Sequence, residues 1–182
     1  MRLDHIAYRT KDRLKTAQFF IDALGYKIQT EFKLEFGDGS TTDCIALVPP
    51  EKIGSDLPWK TSLPPDETSW HLSEYHLPPE IFVSDGPPES IVGKWVAARN
   101  NIGGIHHIAY QVESVQKTMQ EWREKGYAEF ASEQPLTCPG LTQVFTKPSE
   151  LTGIIYEFIE RGEHGFCKDN VKALMESTRD NK

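Results

Sequence analysis

Three side chains in this sequence have the chemistry to hold one metal ion: His5, His107 and Glu157. His5 and His107 each open the string His-Ile-Ala-Tyr, at 5–8 and again at 107–110. Glu157 stands in Gly-Ile-Ile-Tyr-Glu-Phe-Ile-Glu, at 153–160, an otherwise apolar run. A carboxylate among apolar neighbours is expensive to bury without a cation. Two imidazoles and one carboxylate are the donors of a facial-triad Fe(II) site, which keeps open positions on the metal. The separations are too long to form a linear motif, so only a fold that superposes two copies of one unit makes them converge. His106 competes with His107, but strand alternation gives it the parity of Ile6, and its counterpart in the first copy is Asp4. His71, His76 and His164 fall in loops and read as solvated side chains.

The elements that must position these residues are themselves repeated. Beyond His-Ile-Ala-Tyr, Lys15-Thr16 matches Lys117-Thr118 and Gln18 matches Gln120, all at one offset. Gly25-Tyr26 then matches Gly126-Tyr127 after a slip of one residue. Each copy reads as a strand, a helix and further strands. In the first copy, Leu-Asp-His-Ile-Ala-Tyr-Arg-Thr is the strand and Asp12 the helix cap. Leu14, Ala17, Phe20 or Ile21, and Leu24 are the helix's apolar stripe, and Gly25 is its stop. In the second, Ser114 caps a helix whose stripe is Val115, Met119 and Trp122. Later strands are expected over 26–32, 42–48 and 80–84 in the first copy, and over 141–147 and 153–160 in the second.

These readings predict an α+β fold in one domain, 1–182. Two βαβββ modules, 1–85 and 102–161, have sheets that pair into an open barrel-like cleft. Residues 86–101 link them, with a short helix over Glu89–Arg99. A C-terminal helix at 165–180 is expected to act as a lid, with Asp169 as its cap and Val171, Leu174 and Met175 facing the cleft. Residues 49–79 hold seven of the chain's 12 prolines, together with Trp59 and Trp70. They read as an ordered insertion at the cleft mouth, where Trp59, Trp70 or His71 could join the substrate pocket.

Composition narrows the function. Twenty basic against 27 acidic residues give a net charge of −7, which argues against a nucleic-acid surface. No apolar run approaches membrane-spanning length, and no signal-peptide core is present, so a cytoplasmic location without membrane attachment is expected. Cys44, Cys138 and Cys167 form no close pair, which fits a reducing compartment. The expected partners are a small-molecule substrate and O2, with room for a homodimer.

With the repeat and the donors in view, the chain resembles the vicinal-oxygen-chelate superfamily, which includes glyoxalase I, methylmalonyl-CoA epimerase and the extradiol dioxygenases. Within it, the chain is most similar to the catalytic domain of the 4-hydroxyphenylpyruvate dioxygenase and 4-hydroxymandelate synthase family. The segments that carry the likeness are 3–8, 103–110, Leu-Thr-Gln-Val-Phe-Thr-Lys-Pro at 141–148, Tyr-Glu-Phe-Ile-Glu-Arg-Gly at 156–162 and His-Gly-Phe-Cys-Lys-Asp-Asn-Val-Lys-Ala-Leu-Met-Glu at 164–176. The resemblance implies that His5, His107 and Glu157 ligate Fe(II), a place that Mn, Co, Ni or Zn could also fill. It implies that Gln143 and Phe145 line the cleft, that Phe166 packs over the substrate, and that Asn170 opens a gating helix. Phe145 and Phe166 read equally well as core residues, and Gln143 as a sheet residue bonded to backbone.

Three departures argue against 4-hydroxyphenylpyruvate itself as the substrate. Val92 replaces a polar contact residue, Val171 replaces a phenylalanine of the gating helix, and the 49–79 insertion is foreign to the pattern. The expected activity is Fe(II)-dependent dioxygenation of a small aromatic 2-oxo acid. The alternatives are a metal-dependent epimerase, isomerase or lyase, and a non-catalytic small-molecule binder. An epimerase would need a fourth ligand or a base near 80–84, where Glu80 and Asp85 are at hand.

Overall fold

The two strands that carry His-Ile-Ala-Tyr lie side by side. β1 (Arg2–Arg9) and β5 (Gly104–Gln111) pair antiparallel, with Ile6 opposite Ile108. That pairing is the pseudo-twofold centre of the molecule. His5 faces Ala109 across it and Ala7 faces His107. The computed structural model describes residues 1–50, 78–162 and 167–179. Trp59, Trp70, His71, His76, His164 and Phe166 lie outside the described residues, as does most of the 49–79 insertion.

Each module is built as the repeat predicts. In the first, β1 is followed by α1 (Arg13–Leu24), β2 (Lys27–Glu35), β3 (Thr41–Val48) and β4 (Glu80–Asp85). α2 (Ile91–Ala97) then leads to β5, followed by α3 (Val115–Glu124), β6 (Leu136–Cys138), β7 (Leu141–Phe145) and β8 (Ile155–Arg161). β1 pairs parallel with β4, and β5 parallel with β8; the other pairings are antiparallel. The result is one continuous curled sheet in the order β2-β3-β4-β1-β5-β8-β7-β6. The two half-sheets are therefore fused along β1–β5 rather than merely facing each other. β6 is an element the sequence reading missed, because three residues are too few to show alternation.

Local chemistry sets the helices. The Asp12 carboxylate accepts from the Lys15 N–H, and the Ser114 hydroxyl accepts from the Lys117 N–H, capping α1 and α3 at repeat-equivalent positions. Gly25, at φ 73, closes α1 in the left-handed conformation that glycine adopts without a Cβ penalty. α2 starts at Ile91 under a Ser90 cap, two residues later than expected. Ala17 and Phe20 of α1 pack against Tyr26, Ile45, Leu47, Ile81 and Val83. Val115 and Met119 pack against Val144 and Phe158 in the second module. Leu14 and Leu24, expected in the α1 stripe, are exposed instead, because Phe20 and Ala17 suffice to cover a narrow strip of sheet.

The C-terminal helix α4 (Lys168–Ser177) closes the other side of the sheet. Val171 and Met175 join a cluster with Ala7, Phe32, Phe36 and Phe82, while Leu174 packs on Phe145 and Ile155. One helix thus bridges both halves of the concavity. Its N-cap is Cys167, which makes no capping bond; Asp169 lies within the first turn, where its charge suits the helix dipole. Among the described residues no helix is long and apolar enough to cross a membrane.

The paired caps make a direct test of the duplication. Asp12→Ala and Ser114→Ala should each destabilise the protein by about 1 kcal/mol, and the double variant by the sum, since the helices serve separate clusters. Urea unfolding of the three variants measures this.

Candidate metal centre

Strand alternation sends His5, Ala7 and Arg9 to the concave face of β1, and register brings the matching residues of β5 and β8 beside them. His5, His107 and Glu157 meet there, all three buried. His5 Nε2 lies 3.2 Å from His107 Nε2 and 3.2 Å from Glu157 Oε2. His107 Nε2 lies 3.1 Å from the same oxygen. This nearly equilateral triangle matches one face of an octahedron with metal–donor bonds of about 2.2 Å. The donors fit a single divalent ion, held from one side.

Glu157 sits opposite Ala109, in the same relation to β5 that Phe82 has to Ala7 on β1. The position in the first module that pseudo-symmetry would give a fourth ligand is therefore filled by a buried phenylalanine. Glu80 turns elsewhere and accepts from Arg161 at 3.2 Å. Asp85 accepts from the Arg13 backbone and guanidinium.

The residue before each histidine orients it, a feature that alternation alone hides. The β1–β5 ladder shifts register between Leu3 and His5, and again opposite Ala7 and Tyr8, where β5 runs from Ile105 to His107. Each shift is a β-bulge that re-aims the extra residue, Asp4 in one case and His106 in the other. Asp4 accepts from His5 Nδ1 at 2.7 Å and is itself held by two bonds from Arg161, both 2.7 Å. His106 Nδ1 lies 2.9 Å from His107 Nδ1. Both histidines thus have Nδ1 engaged and Nε2 directed at Glu157, the arrangement that fixes tautomer and ring orientation in metal-bound imidazoles. His106 was expected to face away, like Ile6; the bulge turns it inward and buries it.

Electrostatics favour a bound cation. Burial would raise the Glu157 carboxyl, but His5 and His107 outweigh it and hold Glu157 well below the carboxylate range. Burial likewise opposes charge on His5, yet Glu157 and Asp4 raise its imidazole to about 9. Burial dominates for His107 and lowers it despite Glu157. His106 is driven further down, by burial first and then by Arg9 and His107, and stays neutral. Without metal, a proton on His5 answers the Glu157 charge.

The remaining predicted site residues divide. Gln143 Nε2 donates to Glu157 Oε1 at 2.6 Å, while Gln143 Oε1 is buried without a partner. Phe145 stacks 4.7 Å from the His107 ring. Both border the cavity over the donors, with Phe82, Val171, Leu174 and Met175. Asn170 lies off that lining; its Nδ2 donates to the Leu136 carbonyl at 3.3 Å and ties α4 to β6. The sequence reading missed Asp4, Arg161 and the inward turn of His106, and gave no role to Arg9, although alternation sets it on the face of His5. The repeat alignment of Asp4 with His106 was the one available signal.

Alanine at His5, His107 or Glu157 should abolish stoichiometric Fe(II) or Co(II) binding, measured by anaerobic titration. Asp4→Asn should weaken metal affinity by about 10- to 100-fold with the fold intact. The raised His5 pKa sets the sign of the pH dependence. Below about 9, metal uptake must expel the His5 proton, so apparent affinity should rise about tenfold per pH unit from 7 and level off above 9. Chelator competition across that range reads the slope.

A sequence model of the Glyoxalase/Bleomycin resistance protein/Dioxygenase superfamily matches residues 4–138, a stretch that includes His5 and His107. No curated protein matches. Among solved structures, a selenomethionine methylmalonyl-CoA epimerase is 20% identical, with a TM-score of 0.62 over 90% of this chain and 97% of that one. Methylmalonyl-CoA epimerase from Mycobacterium tuberculosis is 17% identical, with a TM-score of 0.60 over 88% of each chain. A triple variant of 4-hydroxymandelate synthase from Streptomyces coelicolor is 18% identical, with a TM-score of 0.71 over 98% of this chain. This chain spans 53% of the length of that enzyme. At these identities the likeness concerns the fold. On the family match, the chain belongs to the glyoxalase/bleomycin resistance/dioxygenase superfamily, the vicinal-oxygen-chelate fold.

Proposed function

We propose that this protein is a mononuclear Fe(II)-dependent dioxygenase acting on a small 2-oxo acid. The observation that carries the reading is the donor count. Three protein donors lie on one face, and Phe82 stands where pseudo-symmetry would put a fourth. A metal held in this way keeps three positions free, two for a chelating substrate and one for O2. Bound Fe(II) would supply the redox chemistry and a Lewis-acidic seat for the 2-oxo acid.

The chain's own groups do the rest. Gln143 pins the outer oxygen of Glu157, so that Oε2 alone is turned to the metal position. Its unpartnered Oε1 is available to accept from a hydroxyl or amide of the substrate. Phe82 and Phe145 give apolar walls, which orient a ring or chain and hold water back. Val171, Leu174 and Met175 press α4 over the opening, excluding solvent from a reactive centre. Asn170, in the first turn of this helix, anchors its start to β6.

A second reading, a metal-dependent epimerase, is favoured by the epimerases that match this chain over nearly their full length. It requires a base that draws a proton from a carbon next to a carbonyl. Among the described residues the cavity lining contains no carboxylate besides Glu157. The Fe(II)-loaded protein should take up O2 and release CO2 in equal amounts with its 2-oxo acid. It should leave solvent deuterium out of the recovered substrate. Deuterium incorporation without O2 uptake would support the epimerase instead. Gln143→Leu should lower turnover with little loss of metal. Leu174→Ala combined with Met175→Ala should raise O2 uptake relative to product, because the cover is loosened.

A further inference from the structure

Arg9 is the third residue on the concave face of β1, two places beyond Ala7 and four beyond His5. At about 3.3 Å per residue, that sets it roughly 13 Å along the strand from His5. It is only 2% exposed and borders the same cavity as the metal donors. A guanidinium stays charged in proteins, and a buried cation calls for an anion or a full set of acceptors. Arg9 has neither. Among the described residues its Nη2 donates to Thr178 Oγ1 at 3.2 Å, and its guanidinium lies 5.8 Å from the Trp95 ring centroid. Nη1 is buried without a partner, and among the described residues no carboxylate lies within ion-pair distance. Burial and the neighbouring Arg99 both act against its charge.

His106 adds a second unused donor. If His107 Nε2 ligates metal, its proton resides on Nδ1 and is donated to His106 Nδ1 across the 2.9 Å contact. The neutral His106 ring then carries its own proton on Nε2. That atom too is buried without a partner, on a ring that borders the cavity and packs on Trp95. Ser84, the register partner of Arg9, borders the same cavity, its hydroxyl donating to the Tyr8 carbonyl at 3.4 Å. The Glu157 carboxylate lies among the metal donors and the Arg9 guanidinium lies apart from them, with apolar walls lining the same cavity.

We propose that Arg9 and the Nε2 edge of His106 form an anion-binding subsite on the side of the cavity toward Arg9, behind His107. It would select a 2-oxo acid whose tail ends in a second carboxylate or another oxyanion. The inference rests on the 2-oxo acid reading of the metal centre and narrows its substrate class. It departs from a substrate with an uncharged aromatic end, since such a tail leaves both donors unanswered.

The test uses the full chain loaded with Co(II). Calorimetry measures binding of 2-oxoglutarate, 2-oxoadipate and 2-oxopimelate against the 2-oxo monoacids of the same carbon number. The visible Co(II) spectrum reports chelation in the same samples. At least one diacid should bind about tenfold or more tighter than its monoacid, the scale of a charge-assisted pair in a desolvated site. Arg9→Met should erase that preference without changing monoacid affinity, and Arg9→Lys should restore part of it. Equal affinities along the whole series in the wild-type protein would overturn the subsite, as would a preference that survives in Arg9→Met. The wild-type comparison stands even if Arg9→Met does not fold. Diacid preference without any spectral change would support the subsite while contradicting chelation by the 2-oxo acid. Binding of neither class would overturn both.

Discussion

The antiparallel pairing of β1 with β5 is the constraint on which the molecule depends. Each module alone carries one histidine on the concave side of a four-stranded sheet. Only the register with Ile6 opposite Ile108 makes the two histidines diagonal neighbours and brings Glu157, from the strand beside β5, within 3.2 Å of both. A slip of one residue would turn the histidine of the moved strand to the outer face and bury the polar side of the ladder against α1 or α3. The hydrophobic clusters under those helices therefore protect the register, and through it the donor triangle.

The same ladder contains the two irregularities that finish the site. A regular strand would send the residue before each histidine outward. The bulges bring Asp4 and His106 inward, and each engages the Nδ1 of the histidine that follows. The two modules have diverged in what they use there. Asp4, backed by Arg161, is a charged partner that raises the basicity of His5. His106 is a neutral one, and its ring continues toward Arg9. A duplicated scaffold thus supports an asymmetric cavity, with His5, His107 and Glu157 clustered in one part and the Arg9 guanidinium in another. The replacement of a possible fourth donor by Phe82 is part of the same divergence.

Most of the architecture was legible in the sequence because duplication writes itself twice. The strand, the capped helix and the glycine stop recur with the same residue types, and two independent copies of a weak signal make a firm one. The convergence of His5, His107 and Glu157 followed from the repeat plus one carboxylate in an apolar strand. What stayed hidden depends on the third dimension. A bulge has no sequence signature, so His106 was assigned to the wrong face and Asp4 was passed over. Alternation sets Arg9 on the face of His5, but only the packing of α4 and Trp95 shows that it is buried there. Three-residue β6 is too short for any pattern, and the solvent-facing Leu14 and Leu24 show that helical spacing alone overstates how wide a stripe the sheet can cover.

The central claim is that three protein donors hold one metal from a single face. X-ray absorption at the iron edge of the Fe(II)-loaded protein tests it most directly. Two imidazole shells and light oxygen donors at about 2.0–2.2 Å around a six-coordinate iron are the expected result, with two oxygen scatterers exchanged on addition of a 2-oxo acid. Iron without imidazole scattering, or a closed shell of protein ligands unchanged by the 2-oxo acid, would contradict it.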